Sequence, residues 1–267
     1  MHTLKKDVVD GICTVTFWNP PRGLMNNQMV VELNALADEI RQDDSIAVVI
    51  FQGGTNGVFI RHYDMAELVG MADALIASGI REDDPSHARA RLIDVAFKKI
   101  ETLPQITIAA INGYCMGGGL EFACCCDIRI ANEGRYRIGL PEVKGGIFPG
   151  AGGTQRLAKV IGEAKALNLI LRGLLLDPAE AKAAGIVSDV AADVVARARD
   201  IARGVQAHPG GALGAQLAKA LVRGAASRSI DEGLEMERRA IVRPFRSPEI
   251  VAAMREFAEQ SIDPTEL

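Results

Sequence analysis

A single carboxylate, Glu121, stands inside the apolar run 120–126, directly after the consecutive glycines Gly117, Gly118 and Gly119. Consecutive glycines let a ligand approach the main chain and leave N–H groups unshielded. A helix that starts there offers unpaired donors and partial positive charge, which suits an oxyanion. A carboxyl in apolar surroundings has its proton affinity raised toward the range useful for proton transfer. The same residues have a purely structural use: the glycines let helix and strand pack closely, and Glu121 caps a neighbour. A second acid, Glu142, follows Pro141 in the glycine-rich stretch 139–153, a setting in which a carboxylate is ordinarily solvated.

The elements around these residues follow from hydrophobic spacing. Residues 106–111, ITIAAI, have the length and β-branching of a buried strand, the chain turns at Gly113, and 120–126 forms a core helix ended by Asp127. Upstream, 11–17 is a first strand closed by the turn 19–23, residues 27–41 have helical spacing, and 46–51 is a second buried strand. A loop over 59–64 precedes a helix beginning near Met65; the polar stretch 80–86 is a candidate mobile loop, and 88–103 is helical. Residues 128–131 form a short strand, and Thr154 is placed to cap the helix that follows the glycine-rich loop. Asp177, Pro178 and Glu180 form an N-terminal helix signature that Gly185 closes. The stretches 194–205, 212–223, 230–242 and 248–260 are amphipathic helices, so the chain divides into an α/β part, 1–195, and a helical part, 196–267.

Composition narrows the class. With 267 residues and 48% apolar content, the chain can bury one large core, alone or with an appendage. A net charge of −4 and 4% aromatic residues give no basis for nucleic acid binding. Cys13, Cys115, Cys124, Cys125 and Cys126 show no CxxC pair and no ligand spacing with histidine, which predicts buried thiols, no metal and a reducing compartment. The first ten residues lack an apolar signal core, and no run reaches the ~20 apolar residues of a membrane span. The expectation is a cytoplasmic protein with no membrane partner.

Three segments together, FIRHYDMAEL at 59–68, IAAINGYCMGGGLEFACCCD at 108–127 and GLPEVKGGIFPGAGGTQRL at 139–157, resemble the enoyl-CoA hydratase/isomerase (crotonase) superfamily. The resemblance implies an α/β spiral of ββα units with a C-terminal helical trimerisation region, assembled as a homotrimer or a dimer of trimers. It implies an acyl-CoA substrate that carries its own coenzyme A, with no separate cofactor. By position, the backbone N–H groups of Tyr63 and Gly118 match the family's oxyanion hole, and Glu121 and Glu142 match its two catalytic acids. Arg61, His62, Tyr63, Asp64, Gly117, Gly118 and Pro141 fall on its substrate-binding segments. Retention of both acids favours hydration of a 2-enoyl-CoA over isomerisation or thioester hydrolysis.

The sequence departs from the family pattern in several places. Ile60, Arg61 and His62 are bulky where relatives carry small residues, so Arg61 and His62 either meet a polar acyl group or CoA, or point outward. One additional residue lies near Arg135-Tyr136-Arg137, where a bulge would shift Glu142. The last helix has Phe257 but Glu259 and Gln260 in place of basic residues, which leaves Arg22 as a substitute contact for a CoA phosphate. Two other readings compete. Residues 113–117 fit a nucleophile elbow centred on Cys115, with Asp189 or Asp193 and His208 completing a triad; an acyl-CoA-binding relative without turnover is the other. The stretch 150–154 lacks the lysine of a phosphate loop and is read as a glycine-eased helix entrance. The glycine spacing also does not fit a dinucleotide fingerprint.

Overall fold

The computed structural model describes residues 1–260. The chain opens with a hairpin, β1 (Leu4–Val9) and β2 (Ile12–Phe17), joined through Asp10 (φ 51°) and Gly11 (φ 74°). Asp-Gly is the residue pair that tolerates two positive φ angles in such a turn. β1 was not expected, because LKKDVV carries too much charge to read as a strand. It is held instead by Glu32, whose carboxylate accepts the N–H groups of His2, Thr3 and Leu4 at 2.7, 2.9 and 3.1 Å.

The chain continues through α1 (Asn27–Gln42), β3 (Val48–Gly53), β4 (Val58–Ile60), α2 (Met65–Ser78), α3 (Leu92–Glu101), β5 (Ile106–Ile111), β6 (Tyr114–Met116) and α4 (Gly118–Ala123). Next come β7 (Ile128–Asn132), β8 (Ile138–Gly139), α5 (Gly153–Ile161), α6 (Glu163–Leu171), β9 (Leu175–Leu176), α7 (Pro178–Ala184) and β10 (Asp189–Ala191). The remaining helices are α8 (Val194–Ala207), α9 (Leu213–Ala225), α10 (Ile230–Ala240), α11 (Val242–Phe245) and α12 (Pro248–Gln260). Strands β1-β2-β3-β5-β7-β10 form one sheet and β4-β6-β8-β9 a second. All neighbours are parallel except β1–β2 and β8–β9. Each of the pairs β3/β4, β5/β6 and β7/β8 thus gives one strand to each sheet before a helix, the repeated ββα unit of a crotonase-type α/β spiral.

Period-two alternation sorts the large sheet's side chains between two cores. Val49, Phe51, Ala109 and Ile111 face the main core, whereas Val48, Ile50, Ile108 and Ala110 face a second one. The second core is covered by α8 through Val194, Ala198 and Ala202, which recur every helical turn. On the main side, the ring of Phe122 packs against Phe17 and Phe51 with centroids at 5.0 Å, Phe97 at 5.7 Å and Phe59 at 6.3 Å. The residue before it is Glu121, so this aromatic cluster fixes the helix that carries the acid.

Two local expectations are corrected. The core helix runs from Gly118 to Ala123, not to Cys126, and Asp127 does not end it. Asp127 accepts the N–H and hydroxyl of Thr107 at 2.8 Å each, and pairs with Lys219 (2.6 Å) and Arg223 (2.9 Å) of α9. Thr154 is not the cap of α5; Gly152, at φ 93°, precedes a helix that begins at Gly153. The five cysteines are buried and unpaired. Among the described residues no helix is long and apolar enough to cross a membrane.

Phe122→Ala should destabilise the fold by about 3–5 kcal/mol, the usual loss for emptying a buried phenylalanine site. Denaturant titration followed by circular dichroism reads it; a loss below about 1 kcal/mol would show that the cluster does not anchor α4.

Candidate active site

The site is built where β6 runs into α4. Gly117 sits at φ 52° and ψ −127°, a backbone conformation that a side chain would strain. Its N–H donates to Gly139 O at 3.0 Å, which ties the turn to β8. Gly119 packs on β4: a Cβ there would lie 2.2 Å from Ile60 O. Gly118, between them, faces Met25 and Tyr63, and a Cβ on it would sit 3.7 Å from Tyr63 N.

Tyr63 belongs to the chain leaving β4, and its position is set by a parallel bridge to Met25. Met25 N donates to His62 O at 2.9 Å and Asp64 N donates to Met25 O at 2.7 Å. This pattern leaves the Tyr63 N–H pointing away from the bridge. Among the described residues, neither Tyr63 N–H nor Gly118 N–H, at the first position of α4, has an intramolecular acceptor. Two N–H groups without an intramolecular acceptor therefore lie close together at one edge of the small sheet.

Glu121 projects from α4 into a loop that is shaped to receive it. Its Oε1 accepts the N–H of Ala151 at 2.7 Å and of Gly153 at 2.8 Å. This explains why α5 needs no serine or threonine cap: a carboxylate from another element takes its first free N–H. The stretch 150–154 is the expected helix entrance, and it is also a carboxylate holder. Its Cβ-free Gly153 is required because an added carbon would stand 2.9 Å from Glu121 Oε1. Burial raises the Glu121 carboxyl above its ordinary range, against the two backbone donors and the charges of Arg156 and Arg91, which pull it down.

Glu142 opens a short 3-10 turn, Glu142–Gly145, directly after Pro141. The additional residue near Arg135-Tyr136-Arg137 is taken up ahead of β8. The Tyr136 ring is tucked inward with its hydroxyl donating to Asn132 O at 2.6 Å, and β8 regains register with β6 through Cys115–Ile138 and Met116–Gly139. Glu142 Oε1 comes within 3.0 Å of where a Gly117 Cβ would stand, while its Oε2 is buried with no hydrogen-bond partner. Burial, against the pull of its own backbone N–H and with a smaller push from the charge of Glu121, raises its carboxyl to about 7.

The remaining positions divide. His62 lies beside Gly117, its Cβ 3.6 Å from the same Cβ point, and its Nδ1–H donates to Tyr63 O at 2.7 Å. Arg61 is spread over the Tyr114 ring (4.6 Å) and donates to Arg22 O at 3.3 Å, so its contacts lie outside the carboxylate pair. The Asp64 carboxylate is used as the N-cap of α2, accepting Ala66 N–H at 2.9 Å. Residues not singled out by sequence also shape the site. Arg91 donates to Gly150 O, and Arg156 donates to Ala151 O at 3.0 Å. Arg91, just ahead of α3, and Arg156, on α5, carry no local motif, and only the fold brings both to one loop.

The nucleophile-elbow reading is overturned. Cys115 is fully buried within β6, where desolvation drives its thiol pKa well above the usual value. Asp189 pairs with Lys182 and Arg197, Asp193 caps α8, and His208 ends that helix, so no triad forms around the sulfur.

Residues 7–264 match the family model for enoyl-CoA hydratase/isomerase. A probable enoyl-CoA hydratase of Mycobacterium bovis is 35% identical over 261 residues, covering 96% of this chain and 94% of the relative. A putative enoyl-CoA hydratase/isomerase of Bacillus subtilis is 31% identical, over 88% of this chain and 86% of its own. Among solved structures, the enoyl-CoA hydratase of Bacillus anthracis superposes with a TM-score of 0.82 at 28% identity, covering 97% of this chain and 96% of that one. This chain belongs to the enoyl-CoA hydratase/isomerase family.

Proposed function

We propose that the protein adds water across the double bond of a 2-enoyl-CoA thioester, with Glu121 activating the water and Glu142 supplying the proton. The observation that carries this reading is the opposite treatment of the two carboxyls. Glu121 is given two backbone donors, which favour its charged form, whereas Glu142 Oε2 is buried with no donor. Where two nearby acids share one proton, it resides on the group whose charge is less well stabilised, here Glu142. That is the division of labour that hydration requires.

The thioester oxygen takes the unpaired N–H groups of Tyr63 and Gly118. Glu121 draws a proton from water as its oxygen bonds to Cβ. The π electrons move toward the carbonyl, and the developing enolate charge is held by the two amides; losing one such donor costs about 10²–10³ in rate in comparable sites. Cα then takes the proton of Glu142. Both carboxyls return to their starting state by passing the proton from Glu121 to Glu142 directly or through water. The coenzyme A is part of the substrate, and the reaction needs no metal or redox group. His62, beside Gly117, would border the thioester, and Pro141 fixes the turn that presents Glu142.

A homotrimer, or a dimer of trimers, is proposed on the apolar surface of the last helices. No residue of α9 or α10 is buried, and Val222, Ile230 and Phe245 stand open. Apolar surface of this extent calls for a partner.

Four measurements test these proposals. A panel of 2-enoyl-CoA thioesters should lose conjugated absorbance, with kcat falling about 10²–10⁴-fold in Glu121→Gln and in Glu142→Gln. Double-bond migration or thioester cleavage alone, without hydration, would replace the proposed reaction with another of the family. The pH profile should fall on its alkaline side as Glu142 ionises near about 7, and the Glu142 titration should move down in Glu121→Gln, which removes a repelling charge. The same group binds its proton more tightly folded than unfolded, so its contribution to stability is full below 4.5 and lost as pH rises through about 7. That component should vanish in Glu142→Gln, measured as the pH dependence of the denaturation midpoint. Sedimentation velocity should give a trimer or a hexamer, and a monomer at micromolar concentration would exclude the proposed assembly.

A further inference from the structure

The loop that grips Glu121 is itself gripped from behind, and the two contacts share one peptide unit. Ala151 N–H donates to Glu121 Oε1 at 2.7 Å, and the carbonyl of that same peptide, Gly150 O, accepts from Arg91 Nη2. In a trans peptide the C=O and N–H point in opposite directions. Guanidinium, peptide and carboxylate therefore stand in series, with the amide dipole aligned between a positive and a negative group.

Arg91 is well suited to the outer end of such a series. It immediately precedes α3, far in sequence from both α4 and the glycine-rich loop. Asp94 holds its fork on two sides, Nε at 3.0 Å and Nη2 at 2.8 Å, so the guanidinium plane is set before it meets Gly150. Arg156 makes a superficially similar contact to Ala151 O, but the N–H of that peptide belongs to Gly152, which does not touch Glu121. Arg91 alone reaches the carboxylate through a single peptide.

We infer that Arg91 is a positioning residue for Glu121, acting through the Gly150–Ala151 peptide to hold the loop in place and to keep the carboxylate in its charged form. This inference rests on the proposed hydration chemistry only for its kinetic consequence. The other charged or titratable groups facing Glu121 are Arg156 from α5, Glu142 from the turn after Pro141, and the thiol of Cys124 beyond α4. Of these, Arg156 adds to the effect of Arg91 and Glu142 opposes it. Removal of Arg91 thus moves Glu121 toward its protonated, inactive form.

The test is the titration of Glu121 by NMR on protein labelled with [δ-13C]glutamate, with its resonance assigned from Glu121→Gln. In Arg91→Gln the titration should move to higher pH by about one unit, and in Arg91→Lys, which keeps the charge, by clearly less. The acid limb of kcat/KM should move in step, with about a tenfold loss on that limb and KM changed less than about twofold. The Arg91 side chain is half exposed, so Arg91→Met, which keeps the stem, serves if the glutamine variant does not fold. An unchanged Glu121 titration in folded Arg91→Gln or Arg91→Met overturns the inference. A wild-type protein that hydrates no enoyl-CoA would sink the functional reading alone, because the titration decides the role of Arg91 without any turnover.

Discussion

Much of this molecule follows from the burial of one carboxyl group inside a core. Glu121 is 3% exposed and its helix is embedded in a phenylalanine cluster, so bulk solvent does not surround its carboxyl. The N–H groups of Ala151 and Gly153 turn onto it and offset part of the cost of a charge there. The Gly153 amide is free because it lies at the first position of α5, where a helix has donors without acceptors, and Ala151 lies in the turn just before it. Thus the aromatic packing that immobilises the acid and the glycine-rich entrance that stabilises it answer the same problem from two sides.

Glu142 shows the other solution to burying an acid. It receives no donor at Oε2, and burial pushes its carboxyl up to about 7. The contrast arises from the elements that carry the two residues. A helix embedded in the core aims Glu121 at a loop already rich in free amides. A single turn after proline places Glu142 against the Cα of Gly117. Glycine at 117 is therefore both a conformational requirement and the space into which the second acid fits.

Much of this was legible in the sequence, for physical reasons that differ by element. The run ITIAAI and the three glycines state their roles locally, and the strand, the turn and the helix start follow from residue type alone. The capping signature at Asp177 is likewise local, and α7 starts and stops where it predicts. Glu142 was not legible from its own neighbourhood, because its burial depends on a long-range pairing of β8 with β6; only the resemblance pointed to it. β1 was hidden by its charges, since its anchor, Glu32, lies on a distant helix. Arg91 and Arg156 were invisible for the same reason: they bind carbonyls, and any residue supplies a carbonyl, so no sequence pattern marks the partner.

Asp127 carries a consequence for how the two parts of the chain are joined. It draws Thr107 of the sheet together with Lys219 and Arg223 of α9, and Lys219 also donates to Gln105 O at 2.6 Å. The helix has no buried residue of its own, so its seat on the sheet depends on these ionic and polar contacts more than on apolar area. Such a joint is rigid when complete, and loss of one partner strands the others in a poorly solvated site. Helix α9 is thus keyed to the large sheet in orientation, as a lug is keyed into a slot, and any assembly it forms inherits a fixed angle to that sheet.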